Sequence, residues 1–191
     1  IRGEDHISNT PKQILIQEIL GFKTPAYAHL PLILGPDRSK LSKRHGAVSV
    51  IEYKKMGYLP SAMANFIALL GWNPDSAREL FSLAELEKEF DIKKVNTAGA
   101  VFNIQKLDWF NSQYIKQMAS DELARLCLPY LKEAGLIGDE VNMKWLEKIM
   151  ALEKDRLKKL SDITESADFF FALPDYQPEL LVWRDMLFKD I

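Results

Sequence analysis

Residues 29–46 read HLPLILGPDRSKLSKRHG, an apolar run that turns abruptly into a basic one. "AHLPLILG", from Ala28 to Gly35, is short and apolar, and predicts a buried strand ending at a turn. The segment after it carries Arg38, Lys40, Lys43 and Arg44 around Ser39 and Ser42. Lysine and arginine neutralise phosphate oxygens, and serine hydroxyls add hydrogen bonds. A leaving group that is itself a phosphate chain needs such charge most in the transition state. Lys40 and Lys43 stand three apart, a spacing that lets a compact turn aim both one way while Leu41 anchors it. Gly35 and Gly46 bracket the loop and are expected to let it move. On composition alone, a solvated charge run explains the same residues.

Outside this loop the chain is nearly neutral. Its 25 lysines and arginines face 27 aspartates and glutamates over 191 residues. With a sequence pI near 6.0, a generic polyanion binder is excluded, and any phosphate site has to be local. Cys127 is the single cysteine, so neither an internal disulfide nor a cysteine-cluster zinc site is expected. A reduced, cytoplasmic setting fits this. No apolar run approaches the roughly 18 residues of a membrane span, so no membrane partner is expected. The chain opens on "IRGEDH" with no methionine, and a piece of something longer is expected.

Upstream, "TPKQILIQEILG" predicts a helix over 10–21, with Thr10 as N-cap, Pro11 in the first turn and Gly21 past the end. Downstream, "AVSVIEY" reads as a strand or the lead into a helix. "PSAMANFIALLGW" reads as a helix from Pro60 to Gly71, and Ser82 to Glu85 as a capping box. "NTAGAVFN" is expected to be a loop. From Ile104 the periods are helical, with Leu123, Leu126, Leu131, Trp145, Ile149 and Leu152 marking the apolar stripe. "SDITESADFFF" also reads as helical, and two prolines interrupt "LPDYQPELL". A soft boundary falls near 105–120, with mixed α/β before it and helices after it.

Two further constellations stand out. "IRGEDHISNT" sets Arg2, Glu4, Asp5 and His6 between a strand end and a helix start, where α/β sheets bind ligands. Arg2 can hold a carboxylate bidentately; a salt-bridged surface loop accounts for the same residues. "KLDWFNSQYI" offers Lys106, Trp109 and Asn111 to a nucleic acid. Helical spacing of Leu107, Phe110 and Tyr114 argues more strongly for core there. His29, inside the apolar run, reads as a satisfied core histidine.

"KLSKR", Lys40 to Arg44, resembles the second signature of class I aminoacyl-tRNA synthetases, usually written K-M-S-K-S. The surrounding order is similar to that of bacterial-type glutamyl-tRNA synthetases. It runs "IRGEDHISNTPKQI", "AHLPLILGPDRSKLSKRHGA", "GYLPSAMANFIALLGW", "FSLAELEKEFD" and "VFNIQKLDWFNSQYI". The likeness is specific to about residue 116 and only generally helical beyond.

The resemblance implies a mainly α fold. Residues 1–50 would be the C-terminal remnant of a Rossmann-like catalytic domain, with a strand or two. Residues 51–116 would be a stem-contact region, and 117–191 the first helical part of an anticodon-binding domain. It implies ATP with Mg²⁺, L-glutamate and tRNA(Glu) as partners of a monomer, with no zinc or other metal site in this chain. It makes Lys40 and Lys43 catalytic and gives ATP to Leu32, Ile33, Ser42, Lys43 and Arg44. Arg2 would hold the glutamate side chain. Asp5 and His6 would lie near ATP and the tRNA 3′ end, and Lys106, Trp109 and Asn111 would touch tRNA. The first signature of the family, an H-I-G-H-like element, is not in these residues. The 191-residue chain alone is therefore expected to be inactive. A non-catalytic tRNA-binding or assembly module derived from a synthetase is the competing expectation.

Overall fold

Ser49 and Ser82 start helices in the same way. Each side-chain oxygen accepts the N–H three residues on, from Glu52 and Glu85, and each glutamate reaches back to the serine N–H. This reciprocal capping satisfies two donors that a helix start otherwise leaves open. It opens one helix at Val50–Lys55 and another at Leu83–Glu89. The computed structural model describes residues 1–46 and 49–172. The ambiguous "AVSVIEY" thus contains a helix; Ala47 and Val48 lie outside the described residues.

The chain divides into two units, Ile1–Gln117 and Met118–Ile191. In chain order the first holds β1 (Arg2–Gly3), α1 (Thr10–Ile19), β2 (His29–Leu30) and β3 (Ile33–Leu34). It continues with α2 (Val50–Lys55), α3 (Pro60–Gly71), α4 (Leu83–Glu89), β4 (Ala100–Val101) and α5 (Ile104–Gln117). The strands are minimal. β1 pairs in parallel with β2, Arg2 opposite His29, and β3 pairs in parallel with β4, Ile33 opposite Ala100. The predicted single buried strand is therefore two short, partly exposed ones, broken at Pro31, which has no N–H for a ladder. "NTAGAVFN" is not all loop, because β4 lies within it. Gly99 allows that pairing: a Cβ there would stand 2.9 Å from the Leu32 carbonyl oxygen.

α3 and α5 carry the core of this unit. Phe66, Leu107 and Phe110 are buried with Tyr53, Tyr58 and Met63, and the Phe66 and Phe110 rings meet edge to face at 6.0 Å. Burial of each such ring is worth about 1.5–3 kcal/mol. Trp72, Phe81 and Leu86 form a second cluster at the end of α3. Two buried amides tie the loops to this core. Asn111 accepts the Leu59 N–H at 2.8 Å, and Asn65 accepts the Phe81 N–H at 2.8 Å.

In the second unit, α6 (Ser120–Glu133) and α7 (Met143–Glu153) bury Leu123, Cys127, Leu131, Leu146, Ile149 and Met150. Burial pushes the Cys127 thiol up to about 12, so it behaves as a small apolar side chain. Leu126, Trp145 and Leu152, read from the sequence as part of the apolar stripe, face outward instead. The stretch after α7 is shorter-ranged than its sequence pattern: α8 spans only Ile163–Ser166, between 3₁₀ turns at Leu160–Asp162 and Asp168–Phe170. "LPDYQPELL", residues 173–181, lies outside the described residues. Among the described residues no helix is long and apolar enough to cross a membrane.

Candidate active-site loop

The basic segment folds back on itself. Leu41 N–H donates to Ile33 C=O at 2.9 Å, Gly35 N–H to Ser39 C=O at 2.8 Å, and Arg38 N–H to Gly35 C=O at 2.9 Å. Arg38 sits at the tip with φ 60°, a left-handed conformation that is uncommon for a residue with a Cβ. Asp37 holds this turn together. Its Oδ1 accepts both the N–H and the hydroxyl of Ser39, at 3.0 and 2.7 Å. Those bonds, with His45 nearby, hold the Asp37 carboxyl well below the usual carboxylate range. Arg44 donates to Asp37 Oδ2 at 3.0 Å and to Ser39 Oγ at 2.6 Å.

The lysines differ sharply. Lys40 donates to Asp5 Oδ2 at 2.7 Å, a bond that lowers the Asp5 pKa. The Asp5 carboxylate folds back over Gly3, where a Cβ would stand 2.6 Å from Oδ1. Lys43, in the 3₁₀ turn Lys43–His45, is exposed and has no ion-pair partner among the described residues. It is thus a cation ready for an anion, whereas Lys40 has to leave Asp5 first.

β1 and β2 bring a second group together. The Arg2 guanidinium lies 4.8 Å from the centre of the Tyr27 ring, a cation–π contact that leaves its fork without an ion pair among the described residues. Tyr27 stacks on His29 with ring centres 6.5 Å apart. Thr10 donates its hydroxyl proton to His6 C=O at 3.0 Å, so His29 Nε2, 2.8 Å away, is the donor to Thr10 Oγ1. His29 is therefore half-buried and satisfied. Thr10 is buried as the first residue of α1 and caps nothing, which corrects its reading as the N-cap.

A model of the catalytic domain of class I tRNA synthetases (E and Q) matches residues 1–109, more than half of the chain. The chain belongs to that family. An anticodon-binding-domain model matches residues 122–187 of the same synthetase chain, the last part of which lies outside the described residues. The synthetase chain is 47% identical over 174 residues to a glutamate–tRNA ligase of Desulforamulus reducens, covering 90% of this chain and 36% of that protein. It is 49% identical over 174 residues to glutamate–tRNA ligase 1 of a Thermoanaerobacter strain, again covering 36% of it. It superimposes on the crystal structure of a glutamate tRNA ligase from Elizabethkingia meningosepticum in complex with its amino acid. That match has a TM-score of 0.79 and 34% identity, over 96% of this chain and 40% of that one. The synthetase chain thus spans little more than a third of the length of the curated relatives it matches.

Several expected site residues of the synthetase loop are already engaged. Leu32 N–H donates to Glu4 Oε1 at 2.9 Å, and Ile33 C=O accepts from Leu41, so those two backbone groups are not open to adenine here. Arg44 is tied to Asp37 and Ser39 rather than free for phosphate. Asn111, expected to touch tRNA, is fully buried, with its side chain spent on Leu59 N–H and Gly57 C=O. That expectation is corrected: a buried amide serving two backbone groups does not meet a nucleic acid. Lys106 pairs with Glu79 at 2.6 Å, and Trp109 is 41% exposed. Gly35 has a packing role beside any conformational one. A Cβ there would come 2.7 Å from the His45 ring, so the glycine is needed for packing. Glu4, Asp37 and His45 were missed as organisers. The Asp37-x-Ser39 spacing is a legible turn signal, whereas nothing in the sequence pairs His45 with Gly35. No group of three or more His, Cys, Asp or Glu side chains that could hold a metal occurs among the described residues.

Proposed function

We propose that this chain is the part of a glutamate–tRNA ligase that closes on ATP during glutamate activation, in the reaction that makes glutamyl-adenylate and then glutamyl-tRNA(Glu). The observation that carries the reading is the braced K-L-S-K-R turn, with Lys43 exposed and without an ion-pair partner among the described residues, inside the stretch that matches a class I catalytic domain. In this reading Lys43 meets ATP. Lys40 exchanges Asp5 for the pyrophosphate as charge develops between the phosphates, where a positioned cation contributes most. Ser42 adds a hydroxyl, and Arg44 acts by holding the turn. Leu32 and Ile33 form the segment along which the adenine lies. Arg2 holds the glutamate side-chain carboxylate, its fork kept level by Tyr27. Asp5 and His6 border the ATP and the tRNA 3′ end, and Lys106 and Trp109 face the acceptor-side stem. Mg²⁺ arrives on the phosphates of ATP, since it is held mainly by substrate phosphates in such sites. Residues 51–116 serve as the stem-contact region and 117–191 as the first helical part of the anticodon-binding domain, in the cytoplasm.

The test is glutamate-dependent ATP–pyrophosphate exchange by the protein as its gene encodes it. Lys43→Ala is expected to cut the turnover about 10²–10³-fold, the usual loss when one preorganised charge-stabilising group is removed. A wild-type protein that exchanges with another amino acid and not with glutamate, or Lys43→Ala at wild-type rate, rejects the reading.

A further inference from the structure

We propose that His45 is the positioning residue of the basic loop: it clamps the Ser42–Lys43 backbone to the Gly35 turn and so sets where the Lys43 ammonium stands. The inference rests on the reading above that Lys43 meets ATP.

Among the described residues no ion pair or side-chain hydrogen bond holds Lys43, so its place depends on its backbone. That backbone is one 3₁₀ turn between Ser42 and His45, closed by His45 N–H donating to Ser42 C=O at 2.9 Å. His45 then reaches back with its side chain. Nδ1 accepts the Ser42 N–H at 3.1 Å, and the ring lies flat where a Cβ on Gly35 would be, 2.7 Å from both Cε1 and Nδ1. Nε2 is 3.3 Å from Asp37 Oδ1. One ring therefore touches the start of the turn, its acidic brace and the middle of the motif. It also forms part of the wall of a cavity with Leu41, Tyr53 and Phe102, the last two of which belong to or pack on the aromatic core. Only 9% of its side chain is exposed, against 51% for its neighbour Asp37.

The Ser42 contact assigns the ring proton. An N–H donor at Ser42 requires Nδ1 to carry no hydrogen, so a neutral ring carries its proton on Nε2, 3.3 Å from Asp37 Oδ1. Arg44 Nε, 3.2 Å from the same nitrogen, is then a neighbour rather than a donor to it, and Arg44 already spends Nη2 on Asp37 and Ser39. Asn at position 45 can keep an acceptor oxygen near the place of Nδ1, as asparagine does in turns. Gln extends toward the place of Nε2, and Ala supplies neither.

The experiment compares His45→Ala, His45→Asn, His45→Gln and Gly35→Ala in the protein as its gene encodes it. The activity readout is kcat and KM in glutamate-dependent ATP–pyrophosphate exchange. His45→Ala and Gly35→Ala are expected to lower kcat about 30- to 100-fold, as misplacement of a catalytic group by about 1 Å does, with KM for glutamate unchanged. His45→Asn should recover to within about fivefold of wild type, because it restores the Ser42 acceptor. His45→Ala at wild-type kcat, His45→Asn as slow as His45→Ala, or better rescue by Gln than by Asn overturns the proposal. Two spectroscopic readouts decide the clamp without any activity. The ¹⁵N spectrum of His45 should show an unprotonated Nδ1 and a protonated Nε2. The Ser42 amide should exchange slowly in wild type and His45→Asn, and fast in His45→Ala. The opposite tautomer, or a Ser42 amide equally fast in wild type, overturns the clamp. Absence of glutamate-dependent exchange in the wild type instead rejects the proposed function and leaves these two spectra to judge His45.

Discussion

Residues 1–46 bury Thr10 and Gly35 and no large apolar side chain, whereas residues 49–117 bury Tyr53, Phe66, Trp72, Phe81, Leu107 and Phe110. The two stretches share one unit and are built differently. The second is an aromatic core between two helices, fixed by close packing. The first is fixed by polar bonds: Asp37 to Ser39, Lys40 to Asp5, Leu32 to Glu4, and His45 to Ser42. Packed cores resist change because each side chain touches many others. Polar turns are cheaper to rearrange, since a lost bond can be replaced by one to water or to ligand. The role proposed for the loop, taking up phosphate and letting it go, suits the polar construction, provided the packed region beside it stays still. Tyr53 and Phe102, which meet the loop's cavity on one side and the aromatic core on the other, are where the two kinds join.

The largest effect that would test this contrast is in the packed stretch. Phe110 is fully buried and its ring contacts those of Phe66 and Trp109, at 6.0 and 5.0 Å. Phe110→Ala is expected to cost about 3–5 kcal/mol, combining lost transfer energy with the cavity left behind. Urea unfolding followed by tryptophan fluorescence measures it. A cost below about 1 kcal/mol would mean that the α3–α5 contact collapses freely, and that the stretch is not the rigid half of the pair.

Asn111→Ala comes next. The substitution removes the acceptor of Leu59 N–H and leaves that buried donor unsatisfied, which costs about 1–3 kcal/mol. Binding of tRNA at matched stability should be unchanged, because the side chain is wholly enclosed. A variant of wild-type stability that binds tRNA more weakly would restore Asn111 to the surface role that its sequence neighbourhood suggested.

Asn111 also shows where the sequence stops being legible. Its neighbours Lys106 and Trp109 are on the half of α5 that meets solvent, and Leu107 and Phe110 are on the half that does not. Period alone places Asn111 beside Phe110, and it takes the Leu59 N–H, 52 residues away in the chain, to say that a buried amide is wanted there. The serine caps were legible because the partners lie three residues apart. The helix from Pro60 to Gly71 was legible because proline and glycine punctuate it. The strands were not: two-residue pairs give no alternation to read, and β3 finds β4 across more than sixty residues of chain. In the candidate site, the motif singles out Lys40 and Lys43 for the proposed role, while the bond from Lys40 to Asp5 and the seating of His45 on Gly35 are tertiary facts.

The smallest expected effect lies on α1. Leu15, Ile16, Ile19 and Leu20 are each more than half exposed, and Ile19 is 82% exposed. A side chain that touches little loses little when replaced. Ile19→Lys should therefore change the stability of the 191-residue chain by no more than about 0.5 kcal/mol, the usual range for surface substitutions. Ile19 is also the last residue of the helix, where a cation meets the negative end of the backbone dipole, which works against any loss. The same urea titration used for Phe110→Ala measures the change. A cost of 2 kcal/mol or more, about that of fully burying such a side chain, would mean that Ile19 is covered in solution. The first stretch would then have a packed face of its own, and its order would no longer rest on polar bonds alone.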